Sequence, residues 1–220
     1  MGKTAIILGA TGLTGNLLLE QLITDNNYSK IKLFSRNSVD VTSDKIEEFI
    51  IDLLALEDST KDFVADEVFC CIGTTAAKTK DKKLYKAIDY GIPVTAAKIA
   101  KENGIATFIV MSSMGADKNS SVFYNRTKGE MERDVLNQRI NNTYVLRPSL
   151  IGGNRNEFRL GEKMGQGIMR VFNPLLVGSL EKYKMIHPEK IATCMRILAN
   201  TKPIETIFSS DKIQEIANTK

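Results

Sequence analysis

A chain of 220 residues has room for one core that buries roughly 70 to 75% of its unfolded surface, and it falls slightly short of two ordinary domains. Charged residues make up 25% of it and apolar residues 43%, a composition that excludes a disordered chain. The formal net charge of +4 is mild, and its densest basic run, KTKDKK at 78–83, is interrupted by Asp81, so it reads as a solvated face rather than a nucleic-acid site.

The first apolar run, TAIILG at 4–9, predicts a strand, and LGATGLTGN at 8–16 follows with glycines at Gly9, Gly12 and Gly15. Residues 13–24 have helical period through Leu17, Leu18, Leu19, Leu22 and Ile23 until DNN at 25–27 stops them. KIKLFS (30–35), EFIIDL (48–53) and EVFCCIG (67–73) predict three further strands. A helix is expected over 83–103 and ends at Gly104, with Gly91 and Pro93 predicting a kink or a late start. TFIVMSS (107–113), a helix at 122–138 and TYVLRP (143–148) come next. After Pro148, glycines and polar residues crowd 152–167, and a helix is expected at 188–200. ETIFSS and DKIQEIA close the chain as a strand and a helix, with Asp211 and Gln214 at capping-box spacing.

Most of these strands are continuously apolar, as strands covered on both faces are, and they alternate with helices. The pattern predicts an α/β fold: a doubly wound parallel sheet of Rossmann type in a single domain. Residues 1–150 would form the nucleotide-binding core. The irregular segment 151–220 would form a small substrate region, because ligands lie beyond the carboxyl ends of such strands.

Cys70, Cys71 and Cys194 cannot all pair within one chain, and none stands in a C-x-x-C arrangement. With His187 as the one histidine, no zinc constellation is expected. No apolar run approaches the ~20 residues of a membrane helix, MGKTAIILGA enters a strand directly, and Ile6 stands where a myristoylation signal requires Ser or Thr. Together these features predict a cytoplasmic protein in a reducing compartment, with no metal, no membrane and no nucleic acid.

The glycine stretch follows a strand and opens a helix, where backbone amides point toward an anion and absent side chains let a pyrophosphate approach. A strand-to-helix turn without ligand is the alternative. An NAD-preferring site needs a carboxylate about 20 residues on. Here Ser35 and Arg36 stand in its place, which favours the 2′-phosphate of NADP. YNRTK puts Tyr124 and Lys128 four residues apart, on one helical face. A phenol is a poor proton donor at neutral pH unless a nearby ammonium stabilises its phenolate, and this pairing makes Tyr124 usable as a general acid or base. Tyr28 and Lys32 share that spacing but run into the second strand, so that pair is an accident. Ser113, at the carboxyl end of TFIVMSS, is placed to hydrogen-bond a substrate carbonyl oxygen, whereas Ser112 points to the other side of the strand. His187, before Pro188, is expected to cap or pack rather than to line a substrate pocket.

The ordered set GATGLTG, FCCIGTT, SSMGADKNSSVFYNRTKGEME and YVLRPSLIGG resembles the atypical short-chain dehydrogenase/reductases, and within them the Tat-interactive, oxidoreductase-like group, from about residue 4 to 155. The resemblance implies that Gly9, Thr11, Gly12, Leu13, Thr14 and Gly15 hold a pyrophosphate and Arg36 a 2′-phosphate. It also implies that Asp52 and Leu53 border the adenine, Cys71, Ile72 and Gly73 line a ribose, and Pro148 flanks the nicotinamide. Ser113, Tyr124 and Lys128 match the family triad, with Lys128 also reaching the nicotinamide ribose. Ser113 and Tyr124 are 11 residues apart, closer than in ordinary members, and Gly129 inside the helix suggests a close neighbour that the sequence does not identify. The expected activity is NADP(H)-dependent reduction of a small carbonyl substrate. The other reading is a nucleotide-responsive regulator that acts through a protein partner.

Overall fold

The computed structural model describes residues 2–75, 77–152 and 184–219. Among them, β1 (Lys3–Leu8), β2 (Tyr28–Ser35), β3 (Ile46–Ile50), β4 (Glu67–Cys70), β5 (Thr107–Met111), β6 (Asn142–Arg147) and β7 (Ile207–Ser209) form one sheet. Its order is β3-β2-β1-β4-β5-β6-β7, and every neighbouring pair is parallel. The apolar runs feed two cores by strand alternation. Ile6, Leu8, Phe34, Val68, Cys70 and Val110 face one side, and Ala5, Ile7, Leu33, Phe69, Cys71 and Ile109 face the other. The first core is closed by a 3-10 helix (Leu53–Ser59), α3 (Ile92–Glu102) and α4 (Phe123–Asn137). The second is closed by α1 (Leu13–Thr24), α5 (Pro188–Thr201) and α6 (Ser210–Asn218). Order reverses at β1 and β4, so the crevice beyond their carboxyl ends is the topological switch point.

Several boundaries differ from expectation for local reasons. β3 stops at Ile50 because Asp52 turns the chain: its Oδ1 accepts from Leu54 N at 3.0 Å and caps the 3-10 helix. As an edge strand β3 keeps Glu48 and Ile50 exposed, so it is not covered on both faces. The last helix starts two residues earlier than the capping box implies. Ser209 is its N-cap, which moves Asp211 into the first turn and breaks the expected capping box. A hydrogen bond with Ser209 holds the Asp211 carboxyl below the usual carboxylate range.

The segment expected as one kinked helix is three pieces in a row. α2 (Lys82–Lys86) is capped by Asp81 Oδ1, which accepts from Leu84 N at 2.7 Å; a π turn (Ala87–Gly91) follows and then α3. Pro93 has no N–H for the carbonyl of Asp89, and widening the turn accommodates that missing bond. Gly91 itself needs no special freedom, since it is helical at φ −60 and ψ −56, and an added Cβ meets nothing nearer than Lys86 O at 4.0 Å.

Gly129 is the opposite case. A Cβ there would lie 2.1 Å from Lys118 N and 2.3 Å from the Asp117 carbonyl carbon, so the loop after β5 rests directly on the α4 backbone. Gly129→Ala is therefore expected to force these backbones apart and cost about 1 to 3 kcal/mol or more. Gly91→Ala should leave the melting temperature unchanged or raise it by about 1 to 4 °C. Parallel thermal melts check the contrast, and equal losses in both variants would contradict it.

Candidate functional site

The loop from β1 to α1 has the form that close approach of an anion requires. Gly9 has φ +87, and an added Cβ would sit 3.0 Å from Cys71 O; a Cβ on Gly15 would sit 2.1 Å from Gly9 O. Gly12 donates its N–H back to Gly9 O at 3.0 Å and occupies the N-cap of α1. No side chain caps that helix and no acid lies in its first turn, so the amides of Leu13, Thr14 and Gly15 are left for a ligand. Thr14 Oγ1 is buried with no partner among the described residues. Thr11 is exposed on the turn. A pyrophosphate fits this cradle by shape, by the sign of the helix dipole and by the free donors.

At the carboxyl ends of β4 and β5, α4 delivers a charge into the protein. Lys128 is 4% exposed, and its Nζ lies 2.9 Å from Oδ1 of Asp89, which is 1% exposed. The contact is an ion pair outside hydrogen-bond geometry, since Oδ1 has no directed partner; Oδ2 accepts from Thr74 N at 2.7 Å. Lys128 Nζ also lies 3.5 Å from Met111 O and 3.9 Å from where a Cβ on Gly73 would stand. Asp89 sits in the π turn, and sequence reasoning missed it. The signal available was a lone acid in the apolar helical stretch before Pro93.

Ser112 and Ser113 take opposite sides of the chain. Ser112 Oγ donates to Glu132 Oε1 at 2.5 Å, and that carboxylate also accepts from Arg147 Nε at 2.9 Å, so this hydroxyl belongs to a bridge joining β5, β6 and α4. Ser113 Oγ is buried with no partner among the described residues. One turn before Lys128 on α4, Tyr124 is 40% exposed and opens onto a cavity of about 380 Å³, whose wall includes Thr74, Tyr85 and Phe123. Burial, with the nearby Asp89 and Tyr124, pushes the Tyr85 phenol up, so it stays neutral. The described wall of this cavity comes from the segment after β4 and the start of α4, whereas of the segment expected to form the substrate region, 151–220, residues 153–183 and 220 lie outside the described residues.

The remaining expected residues are placed as follows. Arg36 is exposed just beyond β2 and has no partner among the described residues, but Ser35 is 2% exposed and donates its hydroxyl to Asn37 O at 2.6 Å. Ser35 is thus committed to its own turn and does not present a free donor beside Arg36. Asp52 and Leu53 lie past the end of β3, the first exposed and the second buried. Cys71 turns its thiol away from the glycine loop, to 3.7 Å from Met195 Sδ, so its backbone and Ile72 approach Gly9 instead. Burial pushes the Cys70 thiol up to about 11 and the Cys71 thiol higher still, which makes both inert at neutral pH. Pro148 is buried at the end of β6, and its carbonyl accepts from Met114 N at 3.1 Å. His187 is an exposed N-cap of α5 that makes no side-chain cap bond.

A family model described as NAD(P)H-binding matches residues 9–167. Protein FMP52-1, mitochondrial, of Scheffersomyces stipitis is 36% identical over 160 residues, 69% of each chain. Protein HTATIP2 of Rattus norvegicus is 33% identical over 164 residues, 73% of this chain and 67% of its own. Among solved structures, MoeE5 in complex with UDP-glucose and NAD superposes with a TM-score of 0.69 at 14% identity, over 97% of this chain and 80% of its own. A short-chain dehydrogenase/reductase superfamily protein from Agrobacterium tumefaciens with bound NAD gives 0.70 at 13% identity, over 95% and 78%. At such identities these two likenesses concern the fold. The relatives named FMP52 from S. stipitis, Debaryomyces hansenii and Candida albicans are mitochondrial by name, which points away from the cytoplasm and overturns that expectation. Its basis was weak for a physical reason: unpaired thiols report a reducing environment, and more than one compartment supplies that.

The buried pair gives the site a measurable signature. Asp89→Ala strands the Lys128 ammonium without its counter-charge and is expected to cost about 3 to 5 kcal/mol in urea unfolding. Adding Lys128→Met should recover part of that loss, because no charge is then left buried. A double variant that is less stable by the full sum of the two single losses would show that the charges are not coupled.

Proposed function

Because the chain belongs to the NAD(P)H-binding family, among the atypical short-chain dehydrogenase/reductases, we propose that it is an NADP(H)-dependent oxidoreductase that reduces a small carbonyl compound. The observation that carries this reading is the buried Lys128 one helical turn from the exposed Tyr124 phenol, together with the Ser113 hydroxyl just past β5, which has no partner among the described residues.

The nucleotide would be held by the amides and glycines from Gly9 to Gly15, by Arg36 at its 2′-phosphate, by Asp52 and Leu53 at the adenine and by the Cys71–Gly73 backbone at a ribose. Lys128 and Pro148 serve the nicotinamide end. The chemistry such a cofactor supplies when bound is hydride donation to the carbonyl carbon. The rest falls to side chains of this chain. Ser113 Oγ donates a hydrogen bond to the carbonyl oxygen as negative charge grows there. Tyr124 gives that oxygen its proton, and the positive charge of Lys128 stabilises the phenolate left behind. Asp89 pairs with Lys128 and fixes it where water is scarce, which makes it a positioning residue.

Tyr124→Phe keeps the ring and removes the proton, so NADPH affinity should survive while carbonyl reduction falls by about 10² to 10⁴. NADPH absorbance with a panel of aldehydes and ketones checks this. If the wild type binds NADPH and reduces nothing in a broad panel, the regulator that acts through a protein partner takes the place of the reductase. Arg36 bears on the choice of cofactor. Calorimetry should find NADPH bound more tightly than NADH, with the preference narrowed or reversed in Arg36→Asp, and equal dissociation constants in the wild type would refute the assignment.

A further inference from the structure

The cavity onto which Tyr124 opens has a chemistry that the reductase reading leaves unspecified. Its body is aromatic: the Tyr85 ring meets Phe123 edge-on at 5.6 Å between centroids and Tyr124 at 6.5 Å. Its polar lining is of two kinds. Thr74 and Thr79 share a hydrogen bond at 2.9 Å and close the loop on one side. Lys80 and Lys82 line the other part, both exposed, and no carboxylate is among the described lining residues.

The two ammonium groups are not spent on neighbouring acids. Neither has an ion-pair partner among the described residues, and Lys82 Nζ is held over the Phe123 ring, 5.7 Å from its centroid. Asp81 lies between them in sequence, but its carboxylate caps α2 through Leu84 N at 2.7 Å. Lys86, one turn on, is neutralised by Glu130 at 2.6 Å. What remains is an apolar, ring-lined volume of about 380 Å³ with a cationic rim and a proton donor on its wall. That volume suits a small ligand of one or two rings.

We propose that the substrate is an anionic, planar carbonyl compound. Its ring or conjugated body lies among Tyr85, Phe123 and Tyr124, and its carboxylate or phosphate is held by Lys80 and Lys82 with the carbonyl directed to Tyr124. The proposal rests on the reductase reading for the fate of the carbonyl, and on the cavity alone for the preference in binding. It also gives a use to the KTKDKK run, which otherwise reads only as a solvated face.

The test compares 4-carboxybenzaldehyde, 4-formylphenyl phosphate and 4-methylbenzaldehyde, which share ring and carbonyl and differ in charge. Dissociation constants from NMR titration of the full chain saturated with NADP⁺ give a readout that needs no turnover. The expected result is that at least one anion binds about tenfold more tightly than the neutral aldehyde at low salt. That ratio should collapse toward one in Lys80→Met/Lys82→Met and be kept in Lys80→Arg/Lys82→Arg. Lys212→Met, remote from the cavity, controls for net charge and should keep the ratio. Equal binding of the three aldehydes, or a preference that survives removal of both lysines, overturns the proposal. Which anion binds better distinguishes a carboxylate from a phosphate. If the anion binds through the lysines but is not reduced, the reductase reading fails while the binding preference stands.

Discussion

The Lys128 ammonium is held almost out of water, and the structure around it is organised by that constraint. A charge in this position is costly unless a counter-charge meets it and the counter-charge is itself satisfied. Asp89 supplies the first condition through its contact at 2.9 Å, and the N–H of Thr74 supplies the second. To bring Asp89 there, the helix between β4 and β5 widens into a π turn ahead of Pro93. To bring Lys128 there, α4 is drawn against β5 and β6 by Glu132, one turn beyond, through Ser112 and Arg147. Two buried carboxylates on different elements thus fix the depth and rotation of α4, and with them where the Tyr124 phenol emerges.

Close backbone contact does the rest of the positioning. At Gly15 and Gly129 any side chain would enter atoms of a neighbouring backbone, so the glycine loop and the loop after β5 each lie directly on a helix. Rigid elements placed this way hold functional groups more closely than long side chains on free loops do. The Ser113 hydroxyl benefits, since it follows β5 on a segment pinned by Met114 N to Pro148 O and by the packing of residues 117–118 on α4.

The site divides into a part whose backbone donors suit phosphate and a part lined by aromatic rings. The first is made of backbone donors at a helix start, where shape and dipole serve any nucleotide of the right outline. The second is made of side chains from the segment after β4, among them Thr74, Lys80, Lys82 and Tyr85, and from Phe123 and Tyr124 at the start of α4. Chemistry common to a family belongs on the scaffold and selectivity on the loops it supports.

Parallel topology was legible in the sequence because covered strands must be apolar on both faces, and most of the six runs are so, with helical periods between several of them. The glycine-rich turn between β1 and α1 and the placing of Tyr124 and Lys128 one turn apart on a single helix were legible too, since each depends on spacing within one element or at one junction. Other features were not. Only the folded chain decides that Asp89 faces Lys128, that Ser112 is tied to Glu132 while Ser113 has no partner among the described residues, that Ser35 turns to Asn37, that Ser209 stands at the N-cap of the last helix, and that Thr74, Lys80, Lys82 and Tyr85 line the cavity. Local sequence fixes which residues share a face of a helix or strand through the backbone's own period. Which polar groups meet across elements depends on how those faces pack, and that pairing is set by burial and by satisfying charges and hydrogen bonds between segments far apart in the chain.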